Sequence, residues 1–136
     1  MPYLLDTNIF SYIFKKNENV NKKLREVTLT GNEVFTSCIT YYEVKRGLLA
    51  VNATKQLADF HQFFTDYEVL FLDDSDIIEQ AYKIQADFKI RGSSIQDTTV
   101  LIAATAITLD LVLVSNNSDL LKVEGLSLEN WLQTDS

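Results

Sequence analysis

The sequence predicts a three-layer α/β fold with a central, mostly parallel sheet of four to five strands and helices on both faces. Two patterns carry this. Short apolar runs without polar alternation suit strands buried on both faces of a parallel sheet. Between them, apolar residues recur at helical spacing, giving the strand and helix alternation that right-handed crossovers produce. No internal repeat, linker or low-complexity stretch interrupts the pattern, so one domain over residues 1–136 is expected.

Pro2-Tyr3-Leu4-Leu5 opens the series as a strand and stops on Asp6. Ligands of open α/β sheets bind beyond the carboxyl ends of the strands, so this acid is delivered to where sites form. Asp6 or Thr7 also suits a helix cap, and the residues leave both roles open. Ile9-Phe10 and Tyr12-Ile13-Phe14 form a short helix ending at Lys15-Lys16-Asn17. Val20 to Leu29 is helical, with apolar residues at 20, 24 and 27, and Gly31-Asn32 ends it. Glu33 to Cys38 alternates as the second strand, and Ile39 to Val51 returns to helical period. Ala53 to Tyr67 is a further helix with Leu57, Phe60 and Phe64 as its inner stripe. Glu68 to Leu72 is the third strand. Asp73-Asp74-Ser75-Asp76 then starts a long helix through Ile77, Ala81, Ile84 and Phe88 to Arg91-Gly92, its acids suited to the positive end of the helix dipole. Ile95 to Leu109 is apolar nearly all round and therefore buried, and Leu111 to Val114 is the fourth strand. Ser115 to Asp119 is a polar turn, Leu126 to Leu128 a short edge strand, and Trp131 is expected to end the ordered chain.

The composition, 46% hydrophobic with four glycines and one proline among 136 residues, allows a compact core burying roughly two thirds of the unfolded surface. The apolar runs fall far short of the roughly 18 residues of a membrane span. Met1-Pro2-Tyr3 lacks the basic flank of a signal peptide, so a cytoplasmic location is expected. Cys38 is the only cysteine, which excludes an intrachain disulfide and a Cys-rich zinc site; it reads as a small buried hydrophobe. His61 is the only histidine and reads as a partly exposed helix residue, leaving carboxylates to carry any chemistry. The net charge of −7 argues against a binder of nucleic acid that rests on a basic surface. Acids that converge on a divalent cation are the exception, because the ion reverses the local sign.

Asp6, Ser37 and Asn116-Asn117 end the first, second and fourth strands, so parallel strands would line them along one rim. Glu43 lies one to two turns into the helix after Ser37, on an edge shared with Thr40 and Gly47. Thr40-x-x-Glu43 and Ser94-x-x-Asp97 also match capping boxes, which offers both acids a purely local role. No glycine-rich phosphate loop is present.

Four blocks, in order and over nearly the whole chain, resemble the PIN-domain family, in particular its VapC-type ribonuclease toxins of toxin–antitoxin pairs. They are Leu5-Asp-Thr-Asn8, Ser37-x-x-Thr-x-x-Glu-Val-x-x-Gly47, Ile102-Ala-Ala-Thr-Ala106, and Leu113-Val-Ser-Asn-Asn117 with Glu124-Gly-Leu. The resemblance implies a PIN-like fold and a metal-dependent endoribonuclease whose carboxylates hold Mg²⁺ or Mn²⁺, leaving 5′-phosphate and 3′-hydroxyl ends. Asp6 and Glu43 match family acids. Asn117, or its neighbour Asn116, takes the place of an acid found in many members and would act as a neutral oxygen donor, with Asp119 close by. Thr7 and Ser37 match the hydroxyls that orient such a site, while Asn8 and Ser115 stand inside the matching motifs. The family's third acid falls at Thr99 here, and the nearest acid is Asp97. Two helical positions differ by about 200°, so Asp97 reaches the metal only if the helix begins later, at or after Thr98.

The expected activity is thus an endoribonuclease using Asp6, Glu43 and Asp97 as metal ligands and Asn117 beside them. Lys45, Arg46, Lys89 and Arg91 are candidates to grip the RNA backbone. The implied partners are RNA and a VapB-type antitoxin whose basic tail fills an acidic groove. A homodimer, or partner binding, through Tyr12, Phe14, Tyr41 and Tyr42 is also expected, as these are more aromatic surface than one small domain need bury. Two alternatives remain: a catalytically weakened PIN-like binding module, on the strength of Thr99, and a phosphoaspartyl phosphatase, on the strength of Asp6-x-Asn8.

Overall fold

The computed structural model of the chain describes residues 2–133. The strands are β1 (Tyr3–Leu5), β2 (Val34–Ser37), β3 (Glu68–Leu70), β4 (Val112–Val114) and β5 (Leu128–Glu129). The helices are α1 (Thr7–Phe14), α2 (Glu18–Leu29), α3 (Cys38–Ala50), α4 (Thr54–Asp66), α5 (Ser75–Ile90) and α6 (Asp97–Thr108), with a 3₁₀ turn at Ser118–Lys122. All strand pairs are parallel, in the order β3-β2-β1-β4-β5.

The strands alternate their side chains between two cores, as a pleated sheet must. Leu4 and Leu113 enter the core built with α5 and α6, where Ile77, Ile84, Phe88 and Ile102 are buried. Leu5 and Val114 enter the core built with α1 and α2, where Ile9, Phe10, Val20, Leu24 and Trp131 are buried. Helices thus cover both faces of the expected sheet. Because β1 lies between β2 and β4 with Leu5 opposite Thr36 and Val114, the residues following these three strands meet at one rim.

Local chemistry sets the boundaries. Asp6, extended at φ −77° and ψ 161°, accepts the Thr7 N–H at 2.8 Å and starts α1 immediately. Its cap and rim positions are therefore compatible. Gly31, with φ +82°, provides the left-handed turn that ends α2. The fifth strand lies two residues later than Leu126 because Gly125 turns at φ +78° and β4 then takes the carbonyls of Ser127 and Glu129. The expectation that order ends at Trp131 concerns a stretch that runs outside the described residues; Trp131 itself is buried.

The aromatic residues expected at the surface are largely absorbed inside. Phe14 packs on Phe10 and Phe60, and Tyr41 on Phe60 and Phe64. Phe60 is fully buried in α4 and collects these rings, so only Tyr42 of the four is exposed. His61 is exposed on the outer face of α4, and Cys38 is half-buried. Among the described residues no helix is long and apolar enough to cross a membrane.

Candidate active site

At the rim, three elements converge on Asp6. Its carboxylate accepts the Thr7 N–H on one oxygen, and on the other the Ser115 hydroxyl at 2.7 Å and the Asn8 side-chain amide at 3.3 Å. Asn8 also donates to Ser115 Oγ at 3.0 Å and accepts the Asn116 N–H at 3.3 Å, tying α1 to the segment after β4. Ser115 Oγ receives the Asn117 N–H as well. Asp6 and Ser115 are only 5% and 2% exposed.

Glu43 reaches the same corner from α3. Its Oε1 accepts the Thr7 hydroxyl at 2.8 Å, and Thr7 Oγ1 lies 3.1 Å from Thr40 Oγ1. One threonine therefore follows the Asp6 carboxylate and holds the Glu43 carboxylate. The capping-box role of Glu43 is not the one adopted: the cap of α3 is Ser37, whose hydroxyl accepts the Ile39 N–H. Ser37 thus secures the helix that carries Glu43 and makes no hydrogen bond to either acid. Thr40, expected on the helix edge shared with Glu43, is a buried member of the acid network.

Burial pushes the Asp6 carboxyl above the usual carboxylate range; hydrogen bonds from Ser115 and Thr7 pull it back, and the negative charge of Glu43 raises it again. Among the described residues the ion pairs are Lys83–Glu79 and Arg91–Asp87, so neither acid has a basic partner. A buried acid beside a second acid, ringed by oxygen and amide groups, has the donor chemistry that suits a hard divalent cation. Asp6 and Glu43 fit such an ion. A third charged ligand is not brought to them, since among the described residues no three His, Cys, Asp or Glu side chains are grouped as a metal site requires.

Asp97 is the point of disagreement. It does not lie in a loop entering α6; it is the first residue of that helix, exposed, with Oδ1 accepting the Gln85 side-chain amide at 2.9 Å. Gln85 also donates to the Ile95 carbonyl at 2.9 Å, so α5 organises this helix start. Ser94 is not the cap either: Gln96 stands there and makes no side-chain cap bond. Thr99 follows two positions on in the same helix and is half-buried.

The other candidates separate likewise. Asn117 Oδ1 caps the 3₁₀ turn by accepting the Asp119 N–H, leaving the Asp119 side chain exposed. The Asn116 amide donates to the Tyr12 hydroxyl. The Lys45 ammonium lies over the Tyr41 ring and the Arg46 guanidinium over Tyr42. Lys89 is exposed, whereas Arg91 is occupied by Asp87, the face of Phe88 and the Lys122 carbonyl, and so latches α5 to the 3₁₀ turn.

The sequence matches the PIN domain family over residues 3–126. It is 28% identical to Ribonuclease VapC2 of Rickettsia felis and 24% identical to Ribonuclease VapC1 of Haemophilus influenzae, each alignment covering 96% of this chain and 98% of the relative. Among solved structures, the crystal structure of VapBC2 from Rickettsia felis bound to a promoter DNA fragment superposes with a TM-score of 0.88 at 24% identity, covering 96% of this chain and 99% of that one. DNA-bound VapBC from Salmonella typhimurium gives a TM-score of 0.85 at 25% identity, covering 96% and 98%.

Proposed function

The chain belongs to the PIN domain family, and from that membership we propose that it is a Mg²⁺- or Mn²⁺-dependent endoribonuclease, the toxin of a VapBC-type pair. The observation that carries this is the buried Asp6 beside Glu43 with no basic partner among the described residues. The relatives' names, Ribonuclease VapC1 and VapC2, support the substrate class.

In this reading Asp6 and Glu43 hold the ion, and an ion so held supplies Lewis-acid polarisation of the scissile phosphate and an acidified water. The chain's own residues set the stage. Ser115, Asn8 and the Thr7 N–H fix the Asp6 oxygens, and Thr7 Oγ1 fixes Glu43, so the two carboxylates are preorganised before any ligand arrives. Lys45, Arg46 and Lys89 are the cations to contact RNA phosphates, while Arg91 keeps its structural partners. Asp97, with Oδ1 held by Gln85, is not grouped with the two acids among the described residues.

The solved complexes named VapBC support a VapB-type antitoxin as partner. Association of two copies is part of the same proposal, favoured by the exposed apolar side chains Phe71, Ile78 and Tyr82 at and before α5. A weakened nuclease is the second reading, favoured by the Asp97–Gln85 bond and by Thr99. Incubating the purified chain with labelled single-stranded RNA in Mn²⁺ or in EDTA tests the assignment. Cleavage confined to the Mn²⁺ arm and abolished by Asp6→Asn is expected; equal cleavage by parent and variant rejects it.

A further inference from the structure

The first helix presents two side chains, Asn8 and Tyr12, one helical turn apart on a single face. Both reach the segment after β4. Asn8 bonds Ser115 Oγ and the Asn116 N–H, and the Tyr12 hydroxyl accepts the Asn116 side-chain amide at 3.2 Å. Asn116 is exposed, so its amide could bond water at little cost; instead it is held by a half-buried phenol 104 positions away in sequence. The next residue back, Ser115, donates the 2.7 Å hydrogen bond to Asp6. The segment is thus pinned on both sides of the peptide that delivers this hydroxyl.

We propose that Tyr12 is a positioning residue of the Asp6 site, acting through Asn116 to hold Ser115 in register with the carboxylate. The proposal rests on the nuclease reading and deepens it. The Tyr12 hydroxyl bonds Asn116 and neither acid, so its influence runs through the backbone of residues 115 and 116. Asn8 bonds Asp6 directly and would disturb the carboxylate by its own loss, whereas Tyr12→Phe removes one hydroxyl from outside the acid network and leaves the ring in place.

The experiment compares the parent with Tyr12→Phe, Asn116→Ala and the double variant by three measurements: amide hydrogen exchange at residues 115–117, Mn²⁺ affinity by calorimetry, and steady-state cleavage of a labelled RNA. Expected for Tyr12→Phe are faster exchange confined to this segment, weaker Mn²⁺ binding, and a kcat lowered by about three- to tenfold with KM for RNA unchanged, less than the loss of a group that bonds a ligand directly. Asn116→Ala should reproduce these changes. The double variant should be no worse than either single one, because the two groups act as one bond. A parent that binds Mn²⁺ and cuts RNA beside a Tyr12→Phe variant unchanged in all three measurements overturns the proposal alone. Additive losses in the double variant overturn it too, since the two side chains then act separately. A parent that neither binds Mn²⁺ nor cuts RNA overturns the nuclease reading and the proposal with it.

Discussion

Two acids in this chain, Asp6 and Asp97, both stand at the start of a helix, and the structure treats them in opposite ways. Asp6 is buried under donors from the start of α1 and from the segment after β4. Asp97 is exposed and bonded to a single glutamine on the neighbouring helix. A helix start explains either residue type, so the cap alone does not mark function. What separates them is where the preceding chain comes from. Asp6 follows a strand in the middle of the sheet, whereas Asp97 follows a turn between two helices packed on one face. Burying a carboxylate is costly, and only at the first position does the structure surround that charge with partners and set a second acid beside it.

Replacing Asp6 breaks the comparison most directly. Asp6→Asn should lower Mn²⁺-dependent cleavage by about 100-fold or more, as expected when a charged metal ligand is lost. Stability should move the other way. Because the folded-state pKa of Asp6 is raised, the folded chain binds this proton more tightly than the unfolded chain does. Its contribution therefore favours folding below the ordinary carboxylate range and is lost as pH rises through the raised value. Without metal, Asp6→Asn should melt above the parent at neutral pH, and the two curves should converge in acid. Added Mn²⁺ should then raise the melting temperature of the parent alone. A parent that is the more stable chain at neutral pH without metal would show that the hydrogen bonds outweigh the desolvation.

Thr99 sharpens the comparison from the other end. A hydroxyl there supplies no charge, so Thr99→Asp should add a third carboxylate near Asp6 and Glu43, tightening Mn²⁺ binding by about tenfold and raising kcat, since ligand charge tunes affinity for hard cations. Calorimetry and single-turnover cleavage read both effects. Unchanged affinity would place residue 99 out of reach of the ion.

Thr36 tests whether burial without partners is itself costly in this fold. It sits in β2 opposite Leu5, fully buried, and its hydroxyl has no hydrogen-bond partner among the described residues. The buried hydroxyls of Ser115, Thr40 and Thr105 all have one. Thr36→Val keeps the shape and removes the orphaned group, so it should stabilise the chain by about 1 kcal/mol, with no change in Mn²⁺ affinity. A destabilised variant would mean that a bound water satisfies the hydroxyl.

The sequence made much of this legible, and for identifiable reasons. Apolar runs and helical spacing located the first four strands and the six α-helices, because Leu4, Leu5, Leu113 and Val114 must be buried on either face of the sheet; the 3₁₀ turn and the exact place of β5 were not readable, since neither carries such a run. Asp6 was readable as a rim residue because it ends an apolar strand, whereas the residues alone left Glu43 between a cap and a site, and the resemblance of its block to the family set it beside Asp6. The fate of Tyr41 and Phe14 was not readable: both are taken up by Phe60, which comes from a different helix, α4, whose packing on α1 and α3 no local pattern states. The same holds for the Tyr12–Asn116 bond, which joins ends of the sequence that only the β1–β4 pairing brings together. Local motifs misled where a tertiary partner intervened. The box Thr40-x-x-Glu43 looked like a cap, but Thr7 bonds its glutamate.

Asp97→Asn should have the smallest effect. The amide oxygen of asparagine accepts the Gln85 N–H as the carboxylate does, so the bond that organises the start of α6 survives. The loss of one negative charge from the first helical turn costs some favourable interaction with the helix dipole, about 0.5 kcal/mol at an exposed position. Cleavage and Mn²⁺ affinity should stay within about twofold of the parent, since a shift below 0.5 kcal/mol changes an equilibrium by little more. The result gains meaning beside Thr99→Asp. A silent Asp97→Asn with an activating Thr99→Asp identifies the chain as a two-carboxylate nuclease working below its capacity. If Asp97→Asn instead abolishes cleavage while Thr99→Asp changes nothing, the α6 start must open in the working enzyme, with Gln85 releasing the carboxylate to the metal. Gln85→Ala, which removes that restraint, should then raise activity.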